Sequence, residues 1–308
     1  MDRLIFAKIS LMKYLLFIVI YALLWCVSKL PFKVLYLLSN VFYFLIYKVV
    51  KYRVKTVRYN LELTFPHLSA TERKEIERKF YIHLCDLFLE MIKTITISPK
   101  ELDKRFVFKN VELMKAYEQK QKSIILMLPH YGNWEWVIGL GQHLEFKGFG
   151  IYKALKNKHF DKLFRDIRSR FNAELIDTHH TTGTIRENQG KGLYGTYLFL
   201  SDQTPLLREK LHWEPFMGID VPIHMGAEVL ARKLNMNILY LKVDKVKRGH
   251  YEATFSEITD DIKNEPKYKP TRMFLNKVEE QIKAVPQYYF WTHKRWKHKD
   301  QKDQFKTK

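Results

Sequence analysis

The stretch "SIILMLPHYGNWEW", residues 123–136, decides how this chain is read. A continuous apolar run rises to Pro129 and His130. A short polar turn with Gly132 and Asn133 follows, and Glu135 then stands between two tryptophans. An uninterrupted apolar segment of this length, bounded by turn residues, is the pattern of a strand buried on both faces. The continuation "NWEWVIGLGQHL" reads as a helix that Asn133 can cap. A second strand of the same kind, "LYGTYLFLSDQTP", ends in Asp202 and Gln203. In open parallel sheets binding groups gather beyond the carboxyl ends of the strands, so His130 and the Asp202–Gln203 pair are expected on one edge.

Outward from these strands the pattern alternates. "GFGIYKAL" and "AELID" read as strands, and "NILYLKVDKVKRGHYEATFSEI" as a strand pair around the turn "KRGH". "KHFDKLFRDIRSRFN", "TIRENQGKG", "HMGAEVLARKLN" and the region around "TRMFLNKVEEQIKAVP" read as helices. "SATERKEIERKFYIHLCDLFLEMIK" is an amphipathic helix capped by Ser69 or Thr71, with Ile76, Phe80, Leu84, Leu87 and Met91 on its apolar face. The alternation predicts an α/β fold, a mainly parallel sheet flanked by helices.

The N-terminal part has a different character. "YLLFIVIYALLWCVS", from Tyr14 to Ser28, carries no charge and lies between Lys13 and Lys29. A full span needs roughly 20 apolar residues, so this helix reads as a retained anchor that reaches that length only if Lys13 snorkels, with a buried core helix as the alternative at so marginal a length. After the turn at Pro31 a second apolar run, Val34 to Tyr47, is too short to span and is expected in the interface or packed on the first helix. Lys48, Lys51, Arg53, Lys55 and Arg58 then form a basic cluster that the positive-inside rule assigns to the cytosolic side. Residues 1–58 therefore read as membrane anchor and interfacial helices, 59–299 as a catalytic domain, and 300–308 as a basic, disordered tail.

Charge narrows the partners. The chain of 308 residues holds 53 Lys+Arg against 33 Asp+Glu, a net +20, which calls for an anionic partner. Its 21 Phe, 18 Tyr and 6 Trp suit a lipid–water boundary. The closing "YYFWTHKRW" is expected to rest its aromatics there, with Lys294, Arg295 and Lys297 toward headgroups. Cys26 and Cys85 are too few for a disulfide framework and have no metal-ligand neighbours, so no metal and no cofactor are expected.

His130 and Glu135 form an H-x4-E pair. A tight turn through Gly132 and Asn133 can bring the carboxylate against the imidazole, fix its tautomer, and leave the other nitrogen to take a proton from a hydroxyl. The pair also has a purely structural reading: His130 as a satisfied turn residue and Glu135 as a complement to a helix N-terminus. No G-x-S-x-G elbow, phosphate loop or dinucleotide turn competes with the acid–base reading.

Several stretches together carry a family resemblance: "NLELTFPHLSATER", "LPHYGNWEW", "IYKALKN", "FLSDQTP", "PFMGIDVPIHMGAEVLARKLN" and "VPQYYFWTHKRWK". In this order the chain resembles the lipid A biosynthesis acyltransferases. The resemblance implies transfer of a fatty acyl chain from acyl carrier protein to a hydroxyl of a lipid A precursor. It places the work on the cytoplasmic face of the bacterial inner membrane. It implies His130 as general base, Glu135 as its orienting partner, Asp202 and Gln203 lining the acceptor side, and Asn133 shaping the turn. The family pattern has arginine after the tyrosine of "IYKALKN". This chain has Lys153, which keeps the charge without the bidentate fork, and Lys156 is a second candidate for the task. Acylation of another bacterial polar lipid or glycolipid stays open. So does a non-enzymatic nucleic-acid- or membrane-binding role, although no nucleic-acid signature is present.

Overall fold

The computed structural model describes residues 2–155, 157–207 and 211–305, with side chains from Met12 onward except those of Lys13 and Phe305. Lys156, as a second candidate for the headgroup contact, and the snorkelling expected of the Lys13 side chain therefore lie outside the described residues.

The buried strand of the opening stretch is β2 (Ile124–Leu128), preceded by β1 (Phe106–Lys109) and followed by β3 (Lys147–Tyr152), β4 (Ala173–Asp177) and β5 (Gly195–Leu200). A small antiparallel pair, β6 (Trp213–Phe216) and β7 (Ile219–Pro222), stands apart. A long hairpin, β8 (Asn237–Lys247) and β9 (His250–Thr259), completes the main sheet. Its seven strands run in the order β1-β9-β8-β2-β5-β3-β4. Strands β8, β2, β5, β3 and β4 are mutually parallel, and only β8 with β9 pair antiparallel. The expected α/β fold with a mainly parallel sheet is what the chain forms. β1 and the β6–β7 pair were not anticipated.

Burial on both faces explains why β2 carries no polar alternation. Ile125 and Met127 join one core with Tyr197, Ile238 and Phe274, while Ile124, Leu126 and Leu128 join the other with Trp136, Leu239 and Tyr251. Successive side chains of a strand point to opposite faces, so a strand between two cores must be apolar at every position.

Helices cover both faces. They are α1 (Asp2–Lys29), α2 (Phe32–Tyr43), α3 (Val54–Thr64), α4 (Ala70–Lys93), α5 (Pro99–Arg105), α6 (Val111–Gln119), α7 (Lys158–Ser169), α8 (Thr181–Gly190), α9 (Gly226–Leu234) and α10 (Lys269–Ala284). The helix expected after Asn133 is a 3-10 helix, Trp134–Gln142. The second apolar run is longer than expected. A wide π-helical turn, Phe44–Val49, continues α2, so that Phe32–Val49 forms an apolar run of 18 residues. The tail differs too: Lys302–Phe305 forms a short 3-10 turn, and Lys302 Nζ reaches Asp220 Oδ2 at 2.6 Å.

The start of α4 is set by Ser69. Its hydroxyl accepts from the Glu72 N–H at 3.2 Å, and the Glu72 carboxylate accepts from the Ser69 N–H at 2.7 Å. This reciprocal pair satisfies two donors that the first turn cannot. Ser69→Ala is expected to lower unfolding stability by about 1 kcal/mol, read from chemical denaturation, whereas Thr71→Ala should leave it nearly unchanged.

Candidate active site

Strand register builds the centre of the site. In the parallel β2–β5 pair Leu128 lies opposite Leu200. Two residues beyond each strand, His130 and Asp202 therefore meet. Asp202 Oδ1 accepts from the His130 ring Nδ1 at 2.7 Å and from the His130 backbone N–H at 3.1 Å. Asp202 is buried at 1% exposure, while the His130 side chain keeps 18%. Burial pushes the Asp202 carboxyl up. The His130 charge and the hydrogen bonds from its ring and backbone outweigh this and hold it below its ordinary value. An ionised carboxylate only accepts, so Nδ1 carries a proton in either charge state of the ring, and the neutral imidazole presents the Nε2 lone pair. No hydrogen bond among the described residues occupies Nε2.

The carboxylate on the imidazole is thus not that of Glu135, which the H-x4-E spacing singled out. Glu135 instead bonds Arg168 of α7, Oε2 to Nη2 at 2.7 Å. The reason is the turn. Gly132 takes φ +59°, and Asn133 caps the 3-10 helix by accepting from the Trp136 N–H at 3.1 Å. Glu135 then leaves from that helix toward α7. It lines an apolar cavity of about 160 Å³ with Leu24, Phe88, Met91, Phe160 and Phe164. Trp134 instead lies edge-on to the His130 ring, centroids 5.2 Å apart, and packs on Phe290 at 5.3 Å.

Of the other singled-out residues, Asn133 is fully buried and shapes the turn. Gln203 follows Asp202 and is half-buried. Lys153 is exposed just past the carboxyl end of β3. These positions share the sheet edge with His130, as strand ends predict, but no hydrogen bond joins Lys153 or Gln203 to it among the described residues.

The C-terminal segment is the part that sequence misjudged. Tyr289, Trp291, Arg295 and Trp296 are buried, and only Lys294 and Lys297 face outward. The segment is laced to the site loops. The Phe290 N–H donates to the His130 carbonyl at 3.1 Å, and the Gly132 N–H to that of Tyr288 at 3.0 Å. Arg295 Nη1 donates to the Pro222 carbonyl at 3.0 Å, and Asn60 of α3 donates to the carbonyls of Trp291 and His293. The aromatic content that read as an interfacial belt is therefore largely core.

His293 belongs to this lacing. The Thr204 N–H donates to its Nε2 at 3.1 Å, which requires an unprotonated nitrogen. Burial pushes the ring from 6.5 down to about 4, with Asp202 opposing the shift and Arg295 adding to it. Between these pH values the unfolded chain binds the proton and the folded chain does not. The contribution of His293 to stability is complete above pH 6.5 and is lost as pH falls toward 4. Thermal melts across that window are expected to fall with acidification. His293→Gln, which still accepts from Thr204, should flatten the fall.

The profile of the bacterial lipid A biosynthesis acyltransferases matches residues 6–298. The chain is 23% identical over 280 residues to the lipid A biosynthesis palmitoleoyltransferase of Escherichia coli (strain K12), covering 89% of this chain and 88% of the relative. It is 25% identical over 282 residues to the lipid A biosynthesis lauroyltransferase of the same organism, covering 89% of each. A lipid A biosynthesis acyltransferase of Haemophilus influenzae is 27% identical over 143 residues, 45% of this chain and 44% of the relative. With a family match that runs from the first helix through the buried C-terminal segment, this chain belongs to the bacterial lipid A biosynthesis acyltransferase family.

Proposed function

We propose that this protein moves a fatty acyl chain from the thioester of an acyl carrier protein to a hydroxyl of a lipid A precursor, with His130 as general base and Asp202 as its orienting partner. The observation that carries this reading is the Asp202–His130 hydrogen bond with Nε2 left open. His130 Nε2 takes the hydroxyl proton as the acceptor oxygen attacks the thioester carbonyl. The resulting imidazolium is stabilised by the Asp202 carboxylate beneath it. As the tetrahedral intermediate collapses, the C–S bond breaks and the departing sulfur takes the proton from Nε2. The products are an ester and a free thiol, and no covalent enzyme intermediate is needed.

The apolar cavity beside Glu135 and Arg168 suits a segment of the acyl chain, because its mostly aliphatic and aromatic lining gains from apolar contents. A basic groove lined by Lys55, Tyr59, Asn60, Lys294 and Lys297 suits the anionic partner, whether carrier or phosphorylated headgroup. Lys153 adds charge at the sheet edge. Part of the basic cluster is structural, since Arg58 bonds Glu77 at 2.8 Å and Arg53 bonds the Thr292 carbonyl at 3.0 Å.

Placement at a membrane surface is supported by α2 and its continuation. One face is tied to α4: Tyr36 to Glu90 at 2.8 Å, Ser39 to Asp86 at 2.8 Å and Tyr47 to Glu77 at 2.7 Å. The opposite face exposes Val34, Leu37, Val41, Phe44, Leu45 and Val49. A helix bonded along one side to a polar body and bare along the other lies in the interface rather than across the bilayer.

Three measurements test these readings. With purified protein, acyl carrier protein thioesters and lipid A precursor, His130→Ala is expected to lower kcat by about 10²–10⁴-fold with native melting. Asp202→Asn should also be strongly impaired, since the imidazolium loses its anion. A near-native rate in either variant overturns the assignment, and a full set of acyl chains on lipid A from a deletion strain overturns the acceptor. In vesicle flotation, Leu37→Glu combined with Phe44→Glu should reduce lipid binding on the order of tenfold while the fold is kept. Unchanged flotation would remove α2 from the membrane surface.

A further inference from the structure

The turn that carries His130 is gripped from behind by one helix. His83, Asp86 and Glu90 recur at helical spacing on α4, and all three are buried. The His83 Nε2–H donates to the Gly132 carbonyl at 3.2 Å, and its Nδ1 accepts from Lys245 Nζ at 3.2 Å. Lys245 is anchored in turn on Asp86 Oδ2 at 3.2 Å. Burial first, and then the Lys245 charge, hold the His83 ring well below its ordinary value, so it stays neutral with both nitrogens used. One helical turn and more along, Glu90 accepts from Asn133 Nδ2 at 2.8 Å, from the Tyr251 hydroxyl at 2.7 Å and from the Tyr36 hydroxyl at 2.8 Å. Its backbone carbonyl accepts from Trp136 Nε1 at 3.3 Å.

We propose that Glu90 and His83 are positioning residues for His130, Glu90 by orienting the Asn133 amide and His83 by holding the Gly132 carbonyl. Asn133 has two jobs with opposite polarity. Its Oδ1 must accept from the Trp136 N–H to start the 3-10 helix, so its Nδ2 must find an acceptor in the interior. Glu90 supplies that acceptor and thereby fixes which way the amide faces. Gly132, at φ +59°, is the most pliable point between His130 and the helix, and His83 clamps its carbonyl. With both bonds made, the turn has no rotational freedom about the two residues that follow Tyr131, and the imidazole is aimed at Asp202. The Tyr36 bond adds the lipid-facing α2 to the same carboxylate. This role rests on the acyl-transfer reading for its catalytic meaning, but the geometry it predicts at His130 does not.

The test exchanges donor and acceptor. Asn133→Asp keeps the Trp136 cap but sets a second acceptor against Glu90. Adding Glu90→Gln restores a donor–acceptor pair, with the Tyr251 hydroxyl free to rotate. A misplacement near 1 Å can cost on the order of 10²-fold, so Asn133→Asp is expected to lower kcat by about 10–100-fold with KM changed by less than about threefold. The double variant should recover at least about tenfold. A loss of folded protein alone would lower activity in step with the melting signal and leave kcat per folded molecule unchanged. In parallel, the His130 ring resonances of histidine-labelled protein, assigned by their absence in His130→Ala, should move in Asn133→Asp and return in the double variant. His83→Leu against His83→Gln tests the other arm in the same way: the leucine moves the resonances, and the glutamine, which still donates to Gly132, does not. His130 resonances unmoved in both Asn133→Asp and His83→Leu overturn the proposal. Absence of acyl transfer in the wild type removes the acyl-transfer reading instead, and the resonance arm still decides the positioning role.

Discussion

The parallel pairing of β2 with β5 is the constraint on which the site depends. Because Leu128 and Leu200 are in register, the residues two beyond each strand face one another, and an imidazole meets a carboxylate without a long loop from either side. Two strands buried on both faces cannot slide, since a shift by one residue would exchange the two core faces along their whole length. The precision of the His130–Asp202 contact is therefore inherited from the hydrophobic core. The short turn at Gly132 then diverts the chain before it can cover the ring.

A second feature is the burial of three carboxylates on α4, which is costly unless each is matched. Glu77, Asp86 and Glu90 are all matched, and in each case the α2 region supplies part of the match, through Tyr47, Ser39 and Tyr36. Arg248 and Lys245 from the β8–β9 hairpin complete Asp86. The apolar N-terminal helices are thus built into the catalytic body rather than tethered to it. The α2 region presents Leu37 and Phe44 outward and Tyr36 and Ser39 inward.

The two carboxylates near His130 have separate employment. Asp202, with no solvent, holds the ring. Glu135 pairs with Arg168 at the wall of an apolar cavity, where an unpaired charge of either sign would be poorly solvated. The C-terminal segment closes the opposite side by backbone bonds to residues 130 and 132 and by the buried Arg295 and Trp296. Helix α3 and the loops after β2 and β5 are joined there by one strip of chain.

Local pattern determined much of this protein. The apolar runs at β2 and β5, a cap of α4 at Ser69 or Thr71, the alternation of strands with helices and the placement of His130 and Asp202 at strand ends were all legible, because burial on two faces and capping leave marks within a few residues. The family was legible in the same way, from motifs in order. Which carboxylate meets the imidazole was not. Sequence proximity favours Glu135 over Asp202, whereas strand register, set by contacts distant in sequence, favours Asp202. The aromatic C-terminal segment and the acids of α4 were hidden for the same reason. An aromatic or charged residue looks exposed until the partners that bury it, Asn60 and Pro222 or Tyr36 and Lys245, are brought to it by the fold.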